Sequence, residues 1–378
     1  MKHRLLFVLL ILMVTVAEAQ ERKRVREYGI KIGVLPTGQW NAITDVPGVQ
    51  VGQVTVVKGQ DVRTGVTAIL PHGGNLFQEK VPAAVFVGNG FGKLAGSTQV
   101  RELGNLETPI VLTNTLSVAT AMNAVITHTL RQPGNEKVQS VNALVGETND
   151  GGLNDIRGRH ITEDHVLTAI RKAQSGAVEE GNTGAGTGTI CFGFKGGIGT
   201  ASRKLPQSLG GYTVGVLVQT NFGGVLQIAG APVGEELEKF SFRQQILEKA
   251  DGSCMIIVAT DAPVDARNLE RMASRAMLGL GKTGGIASNG SGDYVIAFSA
   301  NPGLRVPYET IQKTQTVTLL RNDEMSPLFM ATIEATEEAI LNSLFKAQTT
   351  QGKDKTSVEA LPLEKTIQIL KQHHVIRP

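Results

Sequence analysis

The dipeptide Gly252-Ser253 sits inside the stretch KADGSCMIIVAT, residues 249–260, where a small residue and a hydroxyl stand directly before an apolar, β-branched run that reads as a buried strand. A serine in that place can carry its own base. If the Gly252–Ser253 peptide bond is cut, Ser253 becomes a chain terminus. Its α-amine then titrates near pH ~8 and can take the proton of its own hydroxyl, with no histidine required. Glycine on the other side of the bond suits this chemistry, because it leaves its carbonyl open to attack and tolerates the strained geometry of an N-to-O acyl shift. A rigid strand behind the serine holds the nucleophile still. Taken alone, however, Gly-Ser before a strand reads as a turn, and the thiol of Cys254 is a second competent nucleophile one residue away.

Other chemical signatures fail on spacing. Gly281-Lys282-Thr283 ends like a phosphate-binding loop, but the glycine that motif needs five positions earlier is Ala276. The glycine cluster GNTGAGTGTICFGFKGGIG, residues 181–199, holds no dinucleotide fingerprint and reads as turns. His72, His128, His160, His165, His373 and His374 form no zinc-ligand pattern, and neither a metal nor a cofactor is expected. No Gly-x-Ser-x-Gly elbow follows an expected strand, which removes the commonest α/β form of a Ser-His-Asp triad. Asn289-Gly290-Ser291 has the form of a glycosylation acceptor and reads more simply as a turn.

The elements that must position such a serine are legible as periodicity. Strands are expected over 65–70, 83–87, 110–113, 143–145, 212–219 and 294–299. Helices are expected after Ser117 as an N-cap, after Thr162, after Asp265 with Leu269, Met272, Ala273, Ala276 and Leu280 on one face, and from Ser326-Pro327 with Phe329, Ile333, Ile340 and Leu344 inward. Many strands with several amphipathic helices imply sheets covered by helices. The polar segment 348–357 reads as an exposed loop, and no internal repeat is present.

Composition narrows the class further. With 378 residues, 41% hydrophobic and 19% charged, the chain can close a substantial core. A net charge of +3, with no long basic stretch interleaved with aromatics, gives no support to nucleic-acid binding. Basic residues at positions 2–4, the largely apolar run 5–16 and Ala17-Glu18-Ala19 together read as a secretory signal over residues 1–19. The expected mature chain, 20–378, is a periplasmic or secreted domain that needs no membrane after signal removal. Two cysteines, Cys191 and Cys254, leave one disulfide possible and two buried thiols as the plainer reading.

Nearly the whole mature chain resembles the self-processing family that contains the L-aminopeptidase D-amidase/esterases and the β-peptidyl aminopeptidases. The likeness runs in one order through NAITDVPGVQVGQVTV (41–56), VRTGVTAILPHGG (62–74), VGNGFGKLAGSTQVRELGNLETPIVLTNTLSV (87–118), VGETNDGGLNDI (145–156), GNTGAGTG, GFKGGIGTASR, QTNFGG, DGSCMIIVATDAP and SNGSGDYVIAFS. The resemblance implies a four-layer αββα sandwich with two central mixed sheets, cleaved at Gly252-Ser253 into fragments 20–252 and 253–378, with Ser253 rather than Cys254 as nucleophile. It also implies Asn221 as oxyanion donor, Ser291 and Asp293 as the pair supporting the nucleophile and its amine, and Glu147 as the partner of the substrate's amino group. Asn149 stands where a type of member places a tyrosine that contributes to the site, Gln53 where many relatives carry histidine, and Asp293 where some carry glutamate. The implied substrates are short peptides, amino-acid amides or esters, acted on by a homo-oligomer of cleaved protomers. An endo-acting oligoamide hydrolase and an uncleaved binding module are the rival readings.

Overall fold

A computed structural model of the chain describes residues 22–241 and 251–376. The expected signal segment, 1–19, lies outside these residues. The strands are β1 (Gln50–Lys58), β2 (Val62–Leu70), β3 (Glu79–Gly90), β4 (Leu94–Ala95), β5 (Asn105–Leu106), β6 (Ile110–Asn114), β7 (Leu144–Thr148), β8 (Ile190–Cys191), β9 (Phe194–Lys195), β10 (Gly197–Lys204), β11 (Thr213–Asn221), β12 (Asp251–Thr260), β13 (Gly290–Ser299), β14 (Val306–Pro307), β15 (Thr350–Gln351) and β16 (Ser357–Val358). The helices are α1 (Ser97–Leu103), α2 (Val118–Leu130), α3 (Glu163–Arg171), α4 (Val233–Glu236), α5 (Ala266–Lys282), α6 (Ser326–Lys346) and α7 (Leu363–Gln372).

Five strands form one sheet in the order β1-β2-β6-β7-β4, and seven form another, β10-β11-β12-β13-β3-β14 with β5 also paired to β3. In each, one parallel pair interrupts antiparallel neighbours: β6 with β7, and β12 with β13. The two-residue alternation of β12 explains the layering. Cys254, Ile256 and Val258 point into a core with Leu269, Met272 and Ala276 of α5, while Met255, Ile257 and Ala259 point into a second core with Ile110 and Leu112 of β6 and Leu144 of β7. A strand apolar on both faces must be covered on both. A third core, of Val66, Ala68, Val111 and Val145 with Ala121 and Val125 of α2 and Val166 of α3, covers the outer face of the five-stranded sheet. The result is α2 and α3, sheet, sheet, then α5 and α6: the expected αββα sandwich.

Side-chain caps start two of the seven α-helices of the described residues. Asp265 caps α5 by accepting from the Asn268 N–H, and Thr162 caps α3 by accepting from that of His165. The expected cap at Ser117 is different: α2 does begin at Val118, but the Ser117 side chain makes no capping bond, and Asn114 caps the turn before it by accepting from the Leu116 N–H. In α6, Phe329 and Ile333 are only half-buried. Phe329 lies instead beneath the guanidinium groups of Arg271 and Arg275, and the rest of α6 is buried nearly all round, its Glu334 and Glu338 paired with the fully buried Arg203. Gly281-Lys282 simply closes α5, with Lys282 paired to Glu337. The segment 348–357 holds β15 and the start of β16 as a small ribbon rather than a structureless loop. No helix of the described residues is long and apolar enough to cross a membrane.

Candidate active site

Three adjacent strands of the seven-stranded sheet bring the site together. Asn221 at the end of β11 stands opposite Ser253 in the antiparallel pair with β12, and along the parallel pair with β13 Gly252 stands beside Ser291, Ser253 beside Gly292 and Cys254 beside Asp293. Alternation then sorts the side chains. Ser253 and Asn221 share the face that looks toward the five-stranded sheet, whereas Cys254, Ser291 and Asp293 share the face that looks toward α5. The Cys254 thiol therefore points away from Ser253 into the helix-side core, and burial pushes its pKa well above the usual thiol value. Both cysteines are free and buried.

The chain runs continuously through Gly252–Ser253 in β12, and the Ser253 hydroxyl donates to the Gly252 carbonyl oxygen at 2.6 Å. The hydroxyl thus sits on the carbonyl of its own preceding peptide. Across that peptide, on the α5 side, Ser291 Oγ donates to Asp293 Oδ1 at 2.8 Å. A Cβ placed on Gly252 would stand 3.1 Å from Ser291 Oγ, so the absence of a side chain at 252 is what lets the Ser291–Asp293 pair approach the bond. Asp293 is fully buried, its Oδ2 has no hydrogen-bond partner among the described residues, and burial raises its pKa to about 6 against the opposing bond from Ser291. Asn89 holds this corner by donating from Nδ2 to the Ser291 carbonyl at 2.5 Å and to that of Ser288 at 3.0 Å.

On the other face, the Ile190 N–H donates to Asn221 Oδ1 at 3.0 Å. Since a backbone N–H can only be accepted by the carboxamide oxygen, this fixes the amide orientation and makes the Asn221 NH₂ group a donor on the strand face that it shares with Ser253. Both residues line a cleft of about 870 Å³ whose opposite wall is supplied by Glu147 and Asn149, at and just beyond the end of β7. The sheets meet directly behind it, where Met255 seats against Gly146. Glu147 is 3% exposed: Oε1 accepts from the Lys93 N–H at 3.0 Å and Oε2 from the Thr115 hydroxyl. Asn149 is exposed on the cleft wall with its Oδ1 engaged by the Gly151 N–H at 2.9 Å, a turn residue and a wall residue at once.

The structure therefore brings Ser253, Asn221, Glu147 and Asn149 to one cleft, with Ser291 and Asp293 behind the Gly252–Ser253 peptide. Such an arrangement can supply a hydroxyl nucleophile, a fixed amide donor for a developing oxyanion, and an anionic receptor for a cation. Reading the residues one by one missed Asn89, Lys93, Thr115 and Ile190, which orient the others. Asn89 and Lys93 fall in the glycine-dense stretch GNGFGKLAG, whose density is the one signal that backbone comes close to something there. Gln53 bonds to the segment near 179–183, donating to the Glu179 carbonyl and accepting from the Thr183 hydroxyl, away from the cleft.

The chain belongs to peptidase family S58, which residues 41–358 match. The β-peptidyl aminopeptidase BapA of Sphingosinicella microcystinivorans is 40% identical to it over 381 residues, covering 94% of each chain. Among solved structures, the β-aminopeptidase of a Burkholderia species superposes with a TM-score of 0.86 at 40% identity, over 94% of this chain and 100% of that one. The L-aminopeptidase D-Ala-esterase/amidase of Ochrobactrum anthropi, described as a prototype for the serine aminopeptidases and a variant of the Ntn hydrolase fold, gives the same TM-score of 0.86 at 35% identity, over 94% of this chain and 99% of that one.

Proposed function

We propose that this protein is an exported serine aminopeptidase or amidase that activates itself by cutting Gly252–Ser253 and then removes N-terminal residues from short peptides, amino-acid amides or esters. The observation that carries the reading is the Ser253 hydroxyl, 2.6 Å from the Gly252 carbonyl oxygen at the head of an open cleft. In activation, Ser253 Oγ adds to the Gly252 carbonyl carbon, the hydroxyl proton passes to the departing Ser253 nitrogen as the C–N bond breaks and the ester forms, and water hydrolyses the ester to the Gly252 carboxylate and the free Ser253 hydroxyl. The freed α-amine emerges beside Ser291 and Asp293 and gives that buried carboxylate the cation it lacks in the continuous chain.

Turnover follows the same path with a substrate carbonyl. The α-amine of Ser253 takes the hydroxyl proton, Oγ attacks, and the Asn221 amide donates to the oxyanion of the tetrahedral intermediate. The protonated amine, held by Asp293 through Ser291, returns the proton to the leaving amine, and water resolves the acyl-enzyme. Glu147 receives the substrate's ammonium, which restricts cleavage to free chain ends, and Asn149 borders the side-chain pocket. The chemistry uses neither metal nor cofactor. The mature protein is an oligomer of protomers each made of fragments 20–252 and 253–378, periplasmic or secreted, and β-amino acids are among the N-terminal residues to be assayed, given the relatives named above.

Mass spectrometry and N-terminal sequencing of purified protein test this directly. Two polypeptides beginning at Gln20 and Ser253 are expected, with release of amine from amino-acid amides. Hydrolysis by a chain that stays in one piece rejects the mechanism.

A further inference from the structure

Among the described residues, the cleft is lined by one carboxylate, Glu147, and one ammonium, Lys93. They touch twice. The Lys93 N–H is bonded to Glu147 Oε1, and the Lys93 Nζ stands 3.9 Å from the same oxygen. That second distance is an ion pair without a hydrogen bond, and the ammonium donates to no other described residue. Its side chain is 57% exposed, while that of Glu147 is 3% exposed. The carboxylate is thus held rigidly by a backbone donor and a threonine hydroxyl, and its cation is held only by charge on a flexible four-carbon stem. A carboxylate accepts about four hydrogen bonds, so Glu147 retains capacity for another ammonium.

We propose that the Lys93 ammonium is the resident counterion of Glu147 and an internal competitor for the substrate's ammonium, weakening the binding of amine-bearing substrates, most of all those whose first residue carries a second positive charge. This rests on the reading that Glu147 receives the substrate amine. Two cations at one carboxylate repel, so the incoming amine must drive Lys93 back toward solvent, and a basic first side chain meets the same charge again. Lys93 acts through Glu147 and is a specificity-determining residue, not one that touches the reacting atoms.

The test compares KM and kcat of the cleaved wild type, Lys93→Met, Lys93→Arg and Glu147→Gln on alanine amide and lysine amide. Self-cleavage on a denaturing gel reports that each variant has folded. Lys93→Met is expected to lower KM for alanine amide about three- to tenfold and for lysine amide by more, with the change in KM rather than kcat, and Lys93→Arg to keep the wild-type pattern. If Glu147→Gln raises KM but Lys93→Met leaves it unchanged or raises it, the competitor role is overturned and the amine reading stands. An equal fall for both amides overturns the selectivity. If Glu147→Gln leaves KM unchanged, the amine reading falls and this inference with it.

Discussion

Ser291 and Asp293 are joined by a 2.8 Å hydrogen bond in which the hydroxyl donates to one carboxylate oxygen, while the other oxygen has no partner among the described residues. A buried acid satisfied on one side only favours its protonated form. Across the parallel pair of strands Ser291 stands beside Gly252 and Asp293 beside Cys254, so the two flank the Gly252–Ser253 peptide, where breaking the bond would create an ammonium close to the carboxylate.

This predicts a pH dependence for uncleaved protein. In Ser253→Ala the folded state holds the Asp293 proton up to about pH 6, whereas the unfolded chain releases it near 3.8. The folded state binds the proton more tightly, so the stability this group contributes is complete below 3.8 and is lost as pH rises through about 6. Asp150 and Glu180 are raised in the same direction and tilt both proteins alike. Denaturant titrations between about pH 4 and 7 should therefore show a steeper loss in Ser253→Ala than in the double variant with Asp293→Asn. Equal slopes would remove the case for an uncompensated carboxylate.

Replacing Ser253, the proposed nucleophile, and its sulfur neighbour should have opposite consequences. Ser253→Ala should fold, stay as one band on a denaturing gel and lose turnover by at least about a thousandfold. Cys254→Ala should process and turn over normally, at a cost in stability of about 1 kcal/mol for the lost packing. An active Ser253→Ala or an unprocessed but folded Cys254→Ala would reverse the assignment made from strand alternation.

Asn221→Ala removes the amide donor and should lower kcat by about 10²–10³, with a smaller change in KM. Because processing passes through an oxyanion of its own, the same variant should accumulate precursor, followed on a gel over time. Full processing with full kcat would mean that the oxyanion is stabilised elsewhere.

Gly252→Ala adds a Cβ 3.1 Å from Ser291 Oγ and 3.3 Å from the Phe222 Cα. Such contacts push the Ser291–Asp293 pair away from the peptide, and processing should slow by about tenfold or more in a protein that still folds. Unaltered processing would show that the approach is looser than the geometry indicates.

Acetylating the substrate's amine should abolish turnover of an amino-acid amide by the wild type, to below about 1% of the free-amine rate, since the acyl group removes the charge Glu147 can pair with. Undiminished turnover would favour the endo-acting alternative.

What the residues disclosed in advance follows from the range of the interactions. The strand β12 was legible because an apolar, β-branched run is a local pattern, and α5 because a five-residue apolar stripe repeats at helical spacing, whereas Ser253 stood out from a turn only through the family likeness. β1 and β10 were not read as strands. In β10 the glycines that break the apolar pattern are there because backbone packs on the strand: a Cβ at Gly199 would stand 1.9 Å from the Ala339 carbonyl of α6, and one at Gly197 would stand 2.2 Å from the Gly181 carbonyl. Four layers were beyond periodicity alone, since β12 reads as apolar on both faces whatever covers it, and only the family likeness supplied the answer. Lys93 and Thr115 reach Glu147 across 54 and 32 positions of chain, and no spacing rule connects them. Ser117 shows the opposite error, a residue of the right type in the right place whose side chain makes no capping bond.

In the seven-stranded sheet, β12 and β13 lie between β11 and β3, so strands that follow Ser253 are wedged among strands that precede it. If the bond ahead of Ser253 is severed as proposed, the two pieces remain interleaved like the teeth of a closed zip, and neither carries the whole seven-stranded sheet. Maturation by the proposed cleavage would be a one-way event, in which the working molecule inherits its shape from a precursor that no longer exists. After thermal unfolding it has no intact chain from which to rebuild that shape, so its durability depends on how slowly it opens rather than on how readily it re-forms.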